Sequence, residues 1–506
     1  MGSHAAPRLA DSSRRGGLWR FAPVLVNLAI TLPLANVLNT WVDESYTLRT
    51  TMSTPAYAFH QAIHFELQPP LYFVLLSVWR SIDHSVFFAR LFSVICVALL
   101  VWVSTGLSER YVKNVHPAWL ASVVALSPTA IWAATEIRVY ALAMLLGGLL
   151  LLTFFDGYLS AAPSRTARFW FAALVVAAIY TQYFLAFIVL GCGAALLLFN
   201  RRTLRPFLTF LLLTAVPCLP IVFIVREQIA SGTSLYYGSD STIHLLRRVY
   251  STLSLYVLPL NWLRPKFVWL LGLQAAIVAA YAAAGLRLKQ LDVSGRALWL
   301  TTGIATLMLW AALAATREPF AAHYVSVIFV PAVLAVYSTI ARAQLNGKNL
   351  LAPFAIAAIV CGCVTNYSLY RPLGKAGDWK RVASFVMASE SDHQPILAFQ
   401  SENALTFLDY YTGRNHVIAI PHPLNFQDPT DPGVILHSSA EIDSALGAPR
   451  RSPEVWALTS GECRYENVDY RCDIFEKYLK DHYVVVSRKE FFKSEVRLLR
   501  VRADSR

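Results

Sequence analysis

The sequence predicts a polytopic α-helical membrane protein of about eleven spans, N-terminus inside and C-terminus outside. Interfacial helices are expected in its first outer loop, and a periplasmic α/β domain at its C-terminus. Three observations carry this prediction. Over 506 residues the chain is 56% hydrophobic and only 15% charged, against about 25% charge in ordinary globular proteins. Uncharged windows long enough for a membrane helix, which needs roughly twenty residues, recur as far as residue 370. Lys and Arg collect in short loops that fall on one side when the windows are counted as crossings. A net charge of +13 would suggest nucleic acid for a soluble protein. Here its distribution belongs to topology, and no nucleic-acid partner is expected.

The elements follow in order. Residues 1–20 are polar and Arg-bearing and read as a cytoplasmic tail. The apolar run behind them is too long for a signal peptide and lacks a small-residue cleavage site. The run 21–42 is the first span and ends at Asp43 and Glu44, where a membrane helix meets water. Further windows fall at 91–108, 117–135, 139–155, 169–200, 206–225, 267–286, 297–316, 319–341 and 349–370. Window 169–200 has room for one long or two short crossings. The flanking PSRTAR and RRTLRP are both basic, which favours two crossings turning near Thr181-Gln182-Tyr183. Pro69–Ile82 and Val249–Leu263 are too short to cross and read as interfacial helices. The transmembrane domain is then 21–370, with its first outer loop at 43–87.

From residue 371 the pattern changes. DWKRVASFVMAS, ENALTFLDYYTG (closed by Gly413) and FEKYLKDHY read as helices; PILAF, HVIAI, VWALTS, YVVVS and VRLLRV read as strands. Alternating signals over 371–506 argue a small α/β domain, and no phosphate-binding glycine loop occurs in it. Of seven cysteines, Cys463 and Cys472 flank a polar loop in this domain, where an oxidising compartment permits a disulfide. The others fall in apolar segments and read as packing residues. None has metal-site spacing with nearby His.

The chemistry-bearing residues crowd on the outer side in three groups: Asp43, Glu44, His64, Glu66 and Gln68; then Glu136, Arg138 and Tyr140; then Arg317, Glu318, His323 and Tyr324. The bland readings are a snorkelling pair for Glu136 and Arg138 and a core histidine for His323. A carboxylate at a membrane face with cations a few loops away suits transfer of a group from a lipid phosphate to a hydroxyl. The carboxylate takes the acceptor's proton, and the cations stabilise the departing phosphate.

Asp43-Glu44-Ser45-Tyr46, Gln68-Pro69-Pro70-Leu71-Tyr72, Ala89-Arg90-Leu91 and Glu136-x-Arg138-x-Tyr140-Ala141-Leu142 occur in that order. Tyr183, His323-Tyr324 before Pro331, and Asp378-Trp379 at the head of the last domain follow. Together they resemble the membrane glycosyltransferases of the C-type superfamily, the GT-C fold, nearest the branch of protein O-mannosyltransferases and lipid A aminoarabinose transferases. The resemblance implies inverting transfer of a hexosyl or pentosyl unit from a polyprenyl-phosphate sugar. The acceptor would be a glycan, lipid or protein, and the place the periplasmic side of a bacterial inner membrane. It implies Asp43 as base, Glu44 in support and Glu136 as the second acidic position.

Two departures stand out. Relatives often carry Lys where this chain has Gln68, and Arg-Tyr where it has His323-Tyr324. The donor phosphate would then be met by Arg138, Arg317, Arg264 or Lys266, with His323. Substrate contacts would fall to His64, Glu66, Gln68, Tyr72, Tyr140 and Tyr324. Some members hold a divalent metal between such acids, so Asp43 and Glu136 could form an oxygen site for Mg²⁺ or Mn²⁺. The alternative is a transporter or flippase of a lipid-linked or envelope substrate, which predicts ionisable residues in mid-span and repeat-related broken helices. A further rival, a scaffold binding a partner through its last domain, leaves the first-loop acids without a role.

Overall fold

The computed structural model describes residues 18–112, 115–230, 241–260, 268–288, 291–316, 321–345, 347–426, 435–447, 452–461, 463–465 and 468–502. Every apolar window holds a helix. In order these are α1 (Phe21–Val37), α2 (Val42–Thr50), α3 (Pro55–His64), α4 (Leu71–Arg80), α5 (Val86–Tyr111), α6 (Ala118–Leu126), α7 (Pro128–Thr135) and α8 (Tyr140–Phe154). Then come α9 (Arg165–Ile179), α10 (Leu185–Phe199), α11 (Arg201–Ala230), α12 (Thr242–Val257), α13 (Val268–Leu288) and α14 (Val293–Thr316). A 3₁₀ turn (Ala322–Ile328) leads into α15 (Phe329–Ile340), and the two-residue strands β1 (Gln344–Leu345) and β2 (Lys348–Asn349) precede α16 (Leu351–Tyr370).

Among the described residues six helices are long and apolar enough to cross a membrane, or eight if two bent pairs each count as one span. This is a multi-pass membrane protein. Window 169–200 is two helices turning at 180–184, as the basic flanks require. Two expectations need correction. The run 21–42 is not one helix, because α1 stops at Val37 and the chain bends by 86° into α2. The carboxylates therefore sit in the first turn of a separate polar helix. The segment expected at Val249–Leu263 begins earlier, at Thr242, and buries Leu245, Val249 and Tyr256 as one stripe.

The bend between α6 and α7, 55°, follows from Pro128, which cannot donate within a helix. The carbonyls freed there are met from both sides: Asn27 Nδ2 donates to Ala125 O (2.8 Å) and Asn366 Nδ2 to Leu126 O (3.0 Å).

Basic residues gather at one end of the bundle. Arg20 pairs with Glu109, Arg110 with Asp156 and Arg342 with Asp292, while Arg168 Nε donates to Gly157 O. The ends of α1 and α16 and the junction of α7 with α8 lie at the other end, and so does the C-terminal domain.

That domain comprises α17 (Trp379–Ser389), β3 (Ile396–Phe399), α18 (Ser401–Leu408), β4 (Val417–Ile420), α19 (Ser439–Leu446) and β5 (Glu454–Ser460). After the small ladder of β6 (Arg464–Tyr465) and β7 (Val468–Asp469) come α20 (Cys472–His482), β8 (Tyr483–Phe491) and β9 (Ser494–Val501). The sheet order is β4-β3-β5-β9-β8, with β3 parallel to β4 and β5 and the remaining pairs antiparallel. Ile396 and Ala398 face a core with Trp379 and Trp456, and Leu397 and Phe399 face one with Phe475 and Leu479. Cover on both faces is why β3 reads as an unbroken apolar run. Cys463 and Cys472 form a disulfide, with Cα atoms 5.7 Å apart.

Candidate active site

The site is built around α2, VDESYTLRT, a helix too polar to be held by apolar packing. Its start is anchored by Glu44, which accepts from the main-chain N of Trp41 (3.3 Å). Arg80 Nη1 donates to Leu48 O (2.6 Å) and Thr51 Oγ1 (2.7 Å) at its end. Those contacts satisfy main-chain groups that a short helix leaves open.

Adjacent acids have opposite surroundings. Glu44 is fully buried and accepts from Arg90 Nε (3.1 Å) and Nη2 (3.0 Å), Ile137 N (2.9 Å) and Lys375 Nζ (2.8 Å). Arg90 also donates to the carbonyls of Ala35, Leu38 and Asn39, closing α1 where the chain bends. Asp43 is half-buried, and no hydrogen bond reaches its carboxylate from the described residues. Only its main-chain oxygen is engaged, by Thr47 Oγ1 (3.1 Å) and Arg138 Nη1 (3.3 Å).

Arg138 joins the first two sequence groups. Its Nη1 donates to Glu66 Oε2 (2.7 Å) and Thr47 Oγ1 (2.9 Å), and Thr50 Oγ1 holds the other Glu66 oxygen (3.1 Å). Arg138 Nε and Tyr72 Oη are buried with no partner among the described residues. The third group arrives through rings: Tyr140 stacks between Trp132 (4.8 Å) and His323 (5.0 Å), and Tyr324 stands edge-on to His323 (4.5 Å) and Phe184 (5.9 Å).

Other expected residues stand elsewhere. His64 is exposed, 3.3 Å from Glu227, with its ring tilted against that of His60 (4.2 Å). Gln68 is engaged through its main chain, its N donating to Ala62 O (2.9 Å) and its O accepting from Gln228 (3.4 Å). Arg264, Lys266 and Arg317 lie outside the described residues. Glu136 accepts from Trp41 Nε1 and from Lys375 Nζ (2.9 Å). Both Glu136 oxygens thus accept a hydrogen bond. Among the described residues no group of three or more His, Cys, Asp or Glu gathers to hold a metal.

The C-terminal domain closes over α2. Asp409 accepts from Ser45 Oγ (2.5 Å) and Thr40 Oγ1 (2.9 Å), with Arg49 at 3.9 Å. Tyr410 Oη accepts from Thr40 N (2.8 Å), and Tyr46 Oη donates to Glu402 Oε1 (3.0 Å). Burial pushes the Glu402 carboxyl up to about 7, with the charge of Asp43 adding to the effect. Burial also raises Asp409. Sequence reading did not place Trp41, Lys375, Glu402 or Asp409 in the site, and it quoted Arg90 only within a motif. Arg90 carried a signal, a lone charge beside an uncharged window; Lys375, in a glycine-flanked connection, carried none.

No family model matches the chain, and no curated protein matches it. Among solved structures it is similar to ArnT from Cupriavidus metallidurans, bound to undecaprenyl phosphate and in the apo state. Each is 13% identical at a TM-score of 0.59, covering 96% of this chain and 98% of that one. AglB, an archaeal oligosaccharyltransferase from Archaeoglobus fulgidus, is 10% identical at a TM-score of 0.43, covering 88% of this chain and 70% of that one. The resemblance carried by the motifs thus extends to the fold over almost the whole chain.

Proposed function

We propose that this protein is a membrane glycosyltransferase that moves a sugar from a polyprenyl-phosphate donor to a hydroxyl of a lipid, glycan or protein. Transfer takes place at the periplasmic face of a bacterial inner membrane, on the side of the C-terminal domain. The observation that carries this reading is Asp43, whose carboxylate receives no hydrogen bond among the described residues, next to Arg138, whose Nε, like Tyr72 Oη, is a buried donor with no partner among them. Buried donors are normally satisfied, so an anionic group brought by a ligand would complete them. The fold shared with ArnT, whose crystal structure holds undecaprenyl phosphate, supports a lipid phosphate as that group.

In the reaction Asp43 takes the proton of the acceptor hydroxyl. The acceptor oxygen then bonds to the anomeric carbon from the face opposite the phosphate. The bond from that carbon to the phosphate oxygen breaks, inverting the centre and releasing polyprenyl phosphate. Arg138, with one nitrogen committed to Glu66, offers Nε to the departing charge, and Tyr72 offers its hydroxyl. Glu44 and Glu136 hold α2 in place rather than exchanging protons. The transporter reading draws less support, because the buried acids and the arginines they bind cluster at one end of the bundle instead of mid-span.

Asp43→Asn keeps size and hydrogen bonding but cannot accept the proton. The purified variant, given polyprenyl-phosphate sugars from native membranes and envelope acceptors, should bind the lipid normally. Its product, followed by mass spectrometry, should fall by about 10²–10⁴-fold. Activity above about a tenth of wild type would place the base elsewhere.

A further inference from the structure

Lys375 lies in the connection between α16 and α17, far in sequence from the acids it meets. Its ammonium has three donors and three acceptors around it: Glu44 Oε2 (2.8 Å), Glu136 Oε1 (2.9 Å) and Thr135 O (2.8 Å). The Lys375 side chain is 11% exposed, and the two carboxylates 0% and 4%. Two carboxylates brought this close away from water cannot both stay ionised without a cation between them. Arg90 balances one and Lys375 the other, so the cluster is neutral as it stands.

A divalent ion placed here would leave two excess positive charges in a desolvated pocket. The acceptors such an ion would use, Glu44 Oε2, Glu136 Oε1 and Thr135 O, are already engaged by Lys375 Nζ. We propose that the ammonium of Lys375 is the resident cation of the Glu44–Glu136 pair, filling the place a divalent ion would need and making the C-terminal connection an obligatory part of the site. Lys375 is a positioning residue. It ties the start of α2, where Asp43 stands, to the end of α7 and to the segment carrying the last domain. The inference stands on this geometry and does not depend on which group the site transfers.

The test therefore avoids any transfer assay. Mn²⁺ binding is followed by electron paramagnetic resonance, and thermal unfolding by its Tm, on full-length protein in detergent. Wild type should show no stoichiometric Mn²⁺ site. Lys375→Ala should have a lowered Tm and gain one Mn²⁺ site per chain. Adding Glu136→Gln to it should abolish that site. Ethylammonium, which fits the vacated space, should raise the Tm of Lys375→Ala, while the bulkier tetramethylammonium at equal concentration should not.

A wild-type Mn²⁺ site that disappears in Glu136→Gln would overturn the proposal, and so would a Lys375→Ala protein as stable as wild type. So would a Lys375→Ala protein that gains neither the ion nor the response to ethylammonium. Should Lys375→Ala fail to fold, recovery of its folding in ethylammonium would support the proposal, and a wild-type Mn²⁺ site lost in Glu136→Gln would overturn it.

Discussion

Asp43 and Glu44 are neighbours on one helix, yet Glu44 is locked by four groups and the Asp43 carboxylate receives no hydrogen bond among the described residues. Adjacent helical residues point to different sides, and here Glu44 meets Arg90 and Ile137 while Asp43 lies near enough to Glu402 of α18 for its charge to act there. Asp43 and Tyr46 act on the Glu402 carboxyl from α2. Its pKa of about 7 in the folded protein is raised above the ordinary 4.5. Its contribution to stability is therefore fully present below about 4.5 and is lost as pH rises through about 7. Wild-type Tm should accordingly fall relative to Glu402→Gln across that interval. Parallel Tm profiles for the two proteins would show that Glu402 is ordinary.

At the scale of elements, breaks in helices position the site. Pro128 bends α6 into α7 so that Glu136, at the end of α7, reaches Trp41 and Lys375. The bend depends on close approach by α16, where a Cβ on Gly362 would lie 2.8 Å from Leu126 O. That carbonyl also accepts from Asn366, so it cannot give way freely. Gly362→Ala should destabilise the protein by about 1–3 kcal/mol through overpacking. Gly303→Ala, on α14, meets nothing within 4 Å and should be neutral or slightly stabilising. Thermal melts of the two variants in the same detergent check the contrast; equal melts would mean that α16 moves aside.

At the scale of the whole molecule, the C-terminal domain docks on α2 through Thr40, Ser45, Tyr46 and Arg49. It lies at the end of the bundle opposite the basic loops. If those loops are cytoplasmic, a cysteine at exposed Ser389 should react with an impermeant thiol reagent in spheroplasts, and one at exposed Gln344 should not. The background should lack the five free cysteines. The reverse pattern would invert the protein and move the proposed chemistry to the cytoplasm.

The helical windows, the two helices over 169–200, the α/β character of the last domain and the cysteine pair were all legible because each rests on local pattern. Hydrophobic run length, basic flanks and alternation need no knowledge of distant partners. The bend after Val37 was not legible, since its cause is the Arg90 guanidinium taking carbonyls some fifty residues back in the chain. The same holds for Asp43 and Glu44. By composition they are two acids at a helix boundary, and only packing against Arg90, Ile137 and Lys375 separates an anchor from a free carboxylate. Sequence alone marked Asp43, Glu44, Glu66, Glu136 and Arg138 as residues the site could draw on, but not Lys375, Glu402 or Asp409. Tertiary structure decided which of them are neutralised, because burial and pairing of charge depend on groups brought together from opposite ends of the chain.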